Sequence, residues 1–600
     1  MAAIRTVFVA SCLAFLGCSR RSADADAQDA GPPAITEAEP NDRSDQAQSI
    51  PTRVVVTAAL AADPARPDID LYRLTAPAPI ELDATVTGIA GQNIQLDWLD
   101  QDRNVLASAS AGGEGAGERF PNLRLSGTLW LRVSGAKKGV GGAYTLTLTS
   151  RPADAAAEAE PNGRAADATL MGPLPAQGVL QTNGRVGQPS DEDWYKIEVA
   201  SPSIVASPGA APPLDPGGDA GPTTDSGASD GSESFSAPVD SLDAGTTARV
   251  EEARIALRLD VSAVPGIRWD VAVLSEAEAV LFSVQGKDDE ALTLRNVAVR
   301  ATDRIVYVVV KSGWTGAGKD AKRGANPDLT YTLSVTPEEA GAVAELEPND
   351  TTLKATPLLV GSYREGFLSP KTDVDYYLVR PEAPGIVRLD VSGTERLDLA
   401  LSVLTPGDEG KPEQVVLRAN DGAIKEPEVL NNVRCAPECW VRVEGSTRKV
   451  DGKVVHDFEN AEQPYRVSAS LVVASNVEVE PNNSPEQAIP LSLGQTLRGT
   501  VHPKRDTDFY RLDLSERPVR TAFTVTATGI LKVDIGLYLW RVSEEGEPTL
   551  VQTSDRAKGD APETIRFSAE PAVYLLEVRD AKNRESNFQD PYQLAVTEGT

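Results

Sequence analysis

The sequence ELEPND occupies residues 345–350, and close variants of it occur at three other places in the chain. These are EAEPND at 37–42, EAEPNG at 158–163 and EVEPNN at 478–483. A second acidic phrase follows each one: DIDLYRL from Asp68, DEDWYKI from Asp191, DVDYYLV from Asp373 and DTDFYRL from Asp506. Phrases that recur in the same order are the signature of a tandem array. The sequence therefore predicts four related repeats.

Each repeat closes with an alternating run that begins at a tyrosine: YTLTLTS from Tyr144, YTLSVTP from Tyr331, YRVSASL from Tyr465 and YQLAVTE from Tyr592. Alternation of apolar and polar residues, interrupted by Gly, Pro, Asn and Asp, is typical of β-strands joined by turns. Units of this length with many short strands favour antiparallel sandwiches. We therefore expect an all-β chain of four tandem antiparallel β-sandwich modules. Their expected bounds are 37–150, 151–338, 339–473 and 474–600.

The second module is longer than the others because it contains an insert. Residues 201–247 are rich in Pro, Gly, Ser, Asp and Ala, a composition that cannot bury enough apolar surface to fold. We expect a disordered surface loop there, with a glycosylated or protease-sensitive segment as the alternative.

The N-terminus predicts export and a lipid anchor. Residues 1–18 place Arg5 before an apolar run that ends at Gly17 and Cys18, which has the length of a signal-peptide core rather than of a membrane span. A small residue before cysteine resembles the box at which bacterial lipoproteins are cut and acylated, although Phe15 stands where Leu is usual. Cys18 is the expected lipidation site, Cys12 is the second candidate, and an ordinary signal peptide is the third interpretation.

The residues after the anchor are small and polar. Residues 19–36 have no apolar period, which is typical of a disordered tether. By analogy with other lipoproteins, Ser19 favours the outer membrane. The expected location is thus an outer-membrane anchor on the periplasmic or cell-surface face, with the membrane as a partner.

The two remaining cysteines, Cys435 and Cys439, flank a short Pro-containing loop. With only His456 and His502 elsewhere in the chain, a zinc site is disfavoured. In an exported chain we expect a disulfide-closed loop, with a redox role as the alternative.

Composition excludes several classes of function. The chain has 58 Lys and Arg residues against 88 Asp and Glu residues, a net charge of -30, which disfavours nucleic-acid partners. Two histidines leave little room for histidine-dependent chemistry. The matches to a nucleophile elbow at 227–231 and to a phosphate loop from Gly313 lack the required flanking elements.

The acidic phrases can gather carboxylates. In an extended chain Glu37, Glu39 and Asn41 share one face, and Asp68 shares a face with Asp70. If the two phrases meet, the self-repelling cluster would be relieved by Ca²⁺, which takes six to eight oxygen ligands. The alternative interpretation is that the phrases are turn signatures whose side chains bond backbone N–H groups.

The order of these phrases resembles the bacterial pre-peptidase C-terminal domain family, in four copies that cover nearly the whole chain after the tether. That family is a β-sandwich appended to secreted proteases and is similar to the collagen-binding domains of bacterial collagenases. The resemblance implies Ca²⁺ as a possible cofactor, bound by the two glutamates, the asparagine and the aspartates of both phrases.

The implied ligands of the first module are Glu37, Glu39, Asn41, Asp42, Asp68 and Asp70. Those of the third are Glu345, Glu347, Asn349, Asp350, Asp373 and Asp375. Those of the fourth are Glu478, Glu480, Asn482, Asp506 and Asp508, with Asn483 in place of the last acid of the first phrase. The second module offers Glu158, Glu160, Asn162, Asp191 and Asp193, but Gly163 replaces that acid and makes its site the most doubtful.

Together these features predict a non-catalytic cell-envelope lipoprotein that binds or adheres to an unidentified protein or polysaccharide ligand. One alternative is an accessory subunit of a separate secreted peptidase or other hydrolase. A carboxylate-only glycosidase is the other, and it is disfavoured because the acids recur in four copies.

Overall fold

We analysed a computed structural model of the chain. The structure describes residues 31–154, 157–199, 254–300, 302–338, 343–407, 412–450, 452–456, 458–517, 519–556 and 558–599. Cys12, Cys18 and the insert at 201–247 lie outside these ranges.

The described residues are almost entirely β-structure. The first repeat holds β1 to β8: Ala34–Thr36, Gln48–Ser49, Val54–Leu60, Ile69–Val86, Ile94–Leu99, Val105–Ala109, Glu118–Gly135 and Gly142–Pro152. The second holds β9 to β19: Thr169–Pro173, Leu180–Gly184, Glu192–Glu198, Arg254–Val261, Arg268–Leu274, Val280–Asp288, Leu292–Arg300, Ile305–Ser312, Trp314–Thr315, Lys322–Arg323 and Tyr331–Glu338. The third holds β20 to β30: Thr356–Leu358, Ser362–Leu368, Val374–Val379, Gly385–Val391, Leu399–Thr405, Gln414–Ala419, Glu428–Cys435, Cys439–Gly445, Thr447–Val450, Lys453–His456 and Asn460–Leu471. The fourth holds β31 to β39: Ile489–Pro490, Thr496–Gly499, Thr507–Asp513, Thr521–Ala527, Ile535–Val542, Pro548–Ser554, Glu563–Ala569, Val573–Asp580 and Tyr592–Glu598. The helices described are 3-10 turns at Ala165–Asp167, Gly318–Asp320 and Pro485–Gln487.

Strand pairing repeats along the chain. The third repeat has a five-stranded sheet ordered β20-β22-β27-β24-β25 and a four-stranded sheet ordered β21-β30-β23-β26. The fourth repeat has the same pattern, β31-β33-β38-β35-β36 and β32-β39-β34-β37. The second has β14-β13-β16-β11-β9 and β10-β19-β12-β15. Within these sheets most neighbours are antiparallel, and the short strand that follows each first phrase joins in parallel.

Alternating side chains bury one face of each strand. In β39 the side chains of Tyr592, Leu594 and Val596 are buried, whereas Gln593 is exposed, because successive side chains point to opposite faces of a sheet. The two sheets of the third repeat share one hydrophobic core, to which β22 contributes Val379 and β23 contributes Val387. This core positions the loops and strand ends that carry the acidic phrases.

The chain is all-β, with strands making up 55% of it, but the expectation of four separate β-sandwich modules is wrong. The succession of strands corresponds to a β-solenoid-like winding of about 19 turns. In the first repeat all strands form one eight-stranded sheet, because β4 and β7 each run for 18 residues. Between later repeats the backbone hydrogen bonds continue: Glu347 pairs with Val297, and Glu480 pairs with Val433. Strand periodicity predicts neither the length of a strand that bends nor a bond that crosses between repeats.

By its internal contacts the fold divides into two compact units. The first comprises Met1–Gly163, Arg185–Asp191 and Ala325–Leu329, and the second comprises the rest. The four expected boundaries therefore remain a prediction. Among the described residues no helix is long and apolar enough to cross a membrane.

Cys435 and Cys439 form a disulfide with a Cα–Cα distance of 5.2 Å. The bridge joins the end of β26 to the start of β27, and both cysteines belong to the core of the third repeat.

Candidate cation sites in buried carboxylate clusters

The structure brings the two acidic phrases together in the third repeat. One carboxylate oxygen each of Glu345, Glu347 and Asp375 lies within 4.8 Å of the others, and all three residues are buried. In a second group, one carboxylate oxygen each of Glu347, Asp350 and Asp373 also lies within 4.8 Å of the others, so the two groups share Glu347. The carboxylates that the sequence predicted as ligands in this repeat thus form one continuous cluster.

The fourth repeat builds the same arrangement. Glu478, Glu480 and Asp508 come within 4.8 Å of one another and are buried. Asp506, by contrast, accepts hydrogen bonds from the backbone N–H groups of His502 at 2.9 Å and Thr507 at 2.9 Å. One predicted ligand of this repeat therefore also has the turn-forming role that was the alternative interpretation.

The first repeat has a more open version of the cluster. Glu37, Glu39 and Asp70 meet the same distance criterion, but Glu39 is exposed. Asp42 lies 3.3 Å from the Arg66 guanidinium, and Asp68 accepts from the backbone N–H groups of Ala61 and Ile69.

In the second repeat the predicted ligands fall in two compact units. Glu158, Glu160, Asn162 and Asp191 belong to the first unit, and Asp193 on β11 belongs to the second. Within the first unit, Glu158 accepts from the backbone N–H of Arg185 at 2.6 Å, and Asp191 accepts from that of Gly187 at 2.7 Å.

Buried oxygens without a hydrogen-bond partner lie in the clusters of the third and fourth repeats, which could hold a metal ion. In the third repeat these are Glu347 Oε1, Asn349 Oδ1 and Asp375 Oδ1. The fourth repeats the set with Glu480 Oε1, Asn482 Oδ1 and Asp508 Oδ1. Asn349 and Asp375 are both 0% exposed. A buried oxygen left unpaired costs about 1–3 kcal/mol, so three together call for a ligand.

The first glutamate of each phrase has a different role from the second. Both oxygens of Glu345 accept protein hydrogen bonds, from the backbone N–H of Phe367 at 2.6 Å and from the Tyr377 hydroxyl at 2.8 Å. The second glutamate, Glu347, accepts a hydrogen bond only through Oε2, from the backbone N–H of Asn349 at 2.9 Å. Glu347, Asn349 and Asp375 thus each keep one oxygen without a protein partner, whereas Glu345 is hydrogen-bonded at both oxygens.

A pair of tyrosines supports each cluster, and sequence reasoning missed this role. Tyr465 donates to Asp375 Oδ2, and its hydroxyl lies 2.6 Å from that of Tyr377. The Tyr592 hydroxyl donates to Asp508 Oδ2 at 2.7 Å and lies 2.5 Å from the Tyr510 hydroxyl. The first repeat has the same pair in Tyr72 and Tyr144, and the second in Tyr195 and Tyr331. The signal was present, because these are the tyrosines of the second phrase and of the closing strand.

The protons in this chain of oxygens can be counted. Glu345, Tyr377, Tyr465 and Asp375 make three successive oxygen–oxygen contacts at hydrogen-bond distance, but the tyrosines supply only two protons. Without a cation the third proton must belong to one of the two carboxyl groups. Burial accordingly raises the pKa of Glu345 to about 7 and that of Asp375 well above its ordinary value. A cation bound beside these groups would offset the charge of the second carboxylate, so that the carboxyl proton could be released.

A glycine makes room for the tyrosine pair. A Cβ placed on Gly366 would lie 2.3 Å from Glu345 Oε2 and 2.6 Å from the Tyr465 hydroxyl. Gly499 is in the same situation beside Glu478 in the fourth repeat. These glycines are required for close approach, which the sequence does not reveal on its own.

The electrostatics predict how the cation-free protein responds to pH. Burial raises the pKa of Glu345 and of Glu478 to about 7, from an ordinary value of 4.5, so the folded state holds protons that the unfolded state releases. We expect stability in EGTA to be highest near pH 5 and to fall by about 2–5 kcal/mol as the pH rises to about 8, since each of the two groups contributes about half of this change. Ca²⁺ should reduce this decline, because cation binding replaces the protons. Thermal unfolding between these pH values, with and without Ca²⁺, measures the effect; a midpoint that rises with pH in EGTA would contradict the assignment.

The oxygen donor sets suit a hard cation. Carboxylate and amide oxygens are the ligands that Ca²⁺, Mg²⁺ and Mn²⁺ prefer over softer metals. Clusters of acidic residues in this chain could therefore hold a metal ion, and the geometry alone does not identify which one.

Comparison with known proteins assigns no family. No family model and no curated protein matches the chain. Among solved structures, a pre-peptidase C-terminal domain of collagenase from Bacillus anthracis is 22% identical and covers 19% of this chain and 99% of its own, with a TM-score of 0.16. A similarity at that TM-score carries no argument about fold or function, and the resemblance inferred from the sequence is supported only to this extent.

Proposed function

We propose that the chain is a non-catalytic protein of the cell envelope that binds or adheres to a protein or polysaccharide, with Ca²⁺ stabilising its repeats. The observation that carries the cation part is the set of unpartnered buried oxygens on Glu347, Asn349 and Asp375, repeated in the fourth repeat. Acidic and amide oxygens at several neighbouring positions suit Ca²⁺, which tolerates irregular geometry better than Mg²⁺ does.

Burial of the clusters supports a structural role for the acids. Glu347 is 5% exposed and Asp375 is 0% exposed, so a glycoside or peptide cannot reach the pair. Acid–base catalysis needs its carboxyl groups within hydrogen-bond reach of the substrate. Each cluster is also tied to its core by the tyrosine pair, which is the arrangement expected of a site that holds strands together.

The envelope location rests on the sequence of residues 1–18, with Cys18 as the proposed lipid attachment and the outer membrane as the proposed anchor point. A lipid anchor followed by a polar tether would leave the repeats free to meet a macromolecule. We propose a macromolecular ligand because the repeats would be held away from the membrane, and we assign no residues to its binding.

A binding screen tests the function. We expect the full chain, after the cleavage before Cys18 that lipoprotein processing would make, to bind one class of envelope or matrix polymer in an array of polysaccharides and extended proteins. Binding should be lost in EGTA and restored by Ca²⁺, because the strand ends depend on the cation. Hydrolysis of any array member would overturn the non-catalytic assignment. Consistent capture of one hydrolase, with no polymer bound, would favour an accessory subunit instead.

A further inference from the structure

Three strands carry the same irregularity. In β7, β15 and β26, two residues face a single residue of the paired strand, which is the definition of a β-bulge. The second bulged residue is an asparagine each time: Asn122, Asn296 and Asn432. All three have a positive φ, of 57°, 51° and 52° respectively. Asparagine is among the few residues other than glycine that adopt this conformation readily.

Each bulge receives the acidic phrase of the following repeat. The backbone N–H of Glu480 donates to the carbonyl of Asn432 at 2.9 Å, and the carbonyl of Glu480 accepts from the N–H of Arg434 at 2.9 Å. The same two bonds join Glu347 to Asn296 and Ala298, and Glu160 to Asn122 and Arg124. The receiving strand and the received glutamate are thus equivalent in all three cases.

In two of the three bulges the asparagine side chain adds a third contact, whereas Asn296 Nδ2 has no hydrogen-bond partner. Asn432 Nδ2 donates to Glu478 Oε1 at 3.3 Å, and Asn122 Nδ2 donates to Glu158 Oε1 at 3.2 Å. In the fourth repeat this glutamate is also the one that accepts from Tyr510. In these two cases the bulge therefore contacts the phrase at both of its glutamates.

The fourth repeat lacks this feature. Its corresponding strand, β37, pairs with β34 from Ala569 to Glu563 without a register shift, and no asparagine occurs between those residues. Conversely, the first phrase has no bulge among the described residues to receive it, and Glu39 is exposed where Glu160, Glu347 and Glu480 are buried. Among the described residues, each of the three asparagine bulges is followed by an acidic phrase that it contacts.

We propose that the asparagine bulge is a docking element that recognises the ExEPN phrase of the next repeat, so that consecutive repeats meet through a built interface. Its partner is a short extended acidic segment, bound by two backbone hydrogen bonds and, at Asn122 and Asn432, by one amide–carboxylate bond. The positive φ places the carbonyl of Asn432 toward Glu480, and a β-branched residue opposes that conformation. This interface does not depend on whether a cation binds beside it.

Amide hydrogen exchange of the full chain tests the proposal. Asn432→Val should accelerate exchange at the Arg434 and Glu480 amides by about tenfold or more, because both amides lose their partners when the bulge flattens. The matched control is Asn583→Val, which opposes the same kind of backbone conformation (φ of 54°) in a turn away from the phrases. It should leave the Arg434 and Glu480 amides unchanged.

A second variant keeps the test decisive if Asn432→Val does not fold. Asn432→Asp preserves the tolerated backbone conformation but places a carboxylate against Glu478, so both amides should again exchange faster. Unchanged exchange at Arg434 and Glu480 in the folded variants, or an equal acceleration in the Asn583→Val control, would overturn the docking role.

Discussion

Adding millimolar Ca²⁺ to the cation-free chain should raise the thermal unfolding midpoint by about 5–10 °C. A ligand present at 100 times its dissociation constant stabilises the folded state by about 2.7 kcal/mol, and 1 kcal/mol corresponds to about 2–4 °C for a unit of 150–250 residues. The physical source is relief of the buried carboxylates around Glu347 and Glu480, whose pKa values burial raises well above their ordinary range. Calorimetry or circular dichroism in EGTA and in Ca²⁺ measures the shift.

The control separates a bound ion from general charge screening. With a net charge of -30, the chain is also stabilised by salt, which weakens repulsion between distant charges. NaCl at matched ionic strength should therefore give a much smaller shift than Ca²⁺. An equal shift in NaCl, or none in Ca²⁺, would mean that the clusters are not cation sites.

The effect of Asp375→Asn on the free energy of unfolding should depend on Ca²⁺: the variant should be no less stable than the wild type without Ca²⁺ and less stable with it. In EGTA the substitution removes a buried acid beside Glu345 and Glu347, so the variant should be at least as stable as the wild type. In Ca²⁺ the variant lacks a charged donor and should lose most of the stabilisation of its site, about 2–3 kcal/mol. Urea unfolding in both conditions measures the two differences.

A neutralising substitution on the surface provides the control for Asp375→Asn. Glu382→Gln removes one negative charge from an exposed position of the same repeat. It should leave the Ca²⁺ response unchanged within about 0.5 kcal/mol. If Asp375→Asn retains the full Ca²⁺ response, Asp375 is not a ligand.

The sequence predicts the strands, because they depend on local alternation, whereas the meeting of the two acidic phrases entered the sequence prediction only as a condition. The extended ExEPN phrase places Glu347 and Asn349 on one face, and the second phrase places Asp375 opposite them. The sequence does not predict that Glu345 accepts hydrogen bonds from the Phe367 backbone N–H and the Tyr377 hydroxyl, because those bonds join segments far apart in the chain.

The relation between repeats was also beyond the sequence. Alternation of apolar and polar residues is the same whether or not a strand bonds to the next repeat. It therefore led to the prediction of separate modules, whereas the structure has backbone hydrogen bonds between repeats. The sequence does show an asparagine at positions 122, 296 and 432, each within a strand of its repeat. Their positive φ and their contacts with the following phrase were not visible, because those contacts join segments that are not adjacent in the sequence.

Calcium titration of the full chain by isothermal calorimetry, beside Asp375→Asn and Asp508→Asn, tests the central claim most directly. We predict saturable binding to the wild type and the loss of one equivalent in each single variant, because Asp375 and Asp508 belong to different clusters. Binding that is absent at millimolar Ca²⁺, or a stoichiometry that neither substitution changes, would contradict the assignment of these buried carboxylates as cation sites.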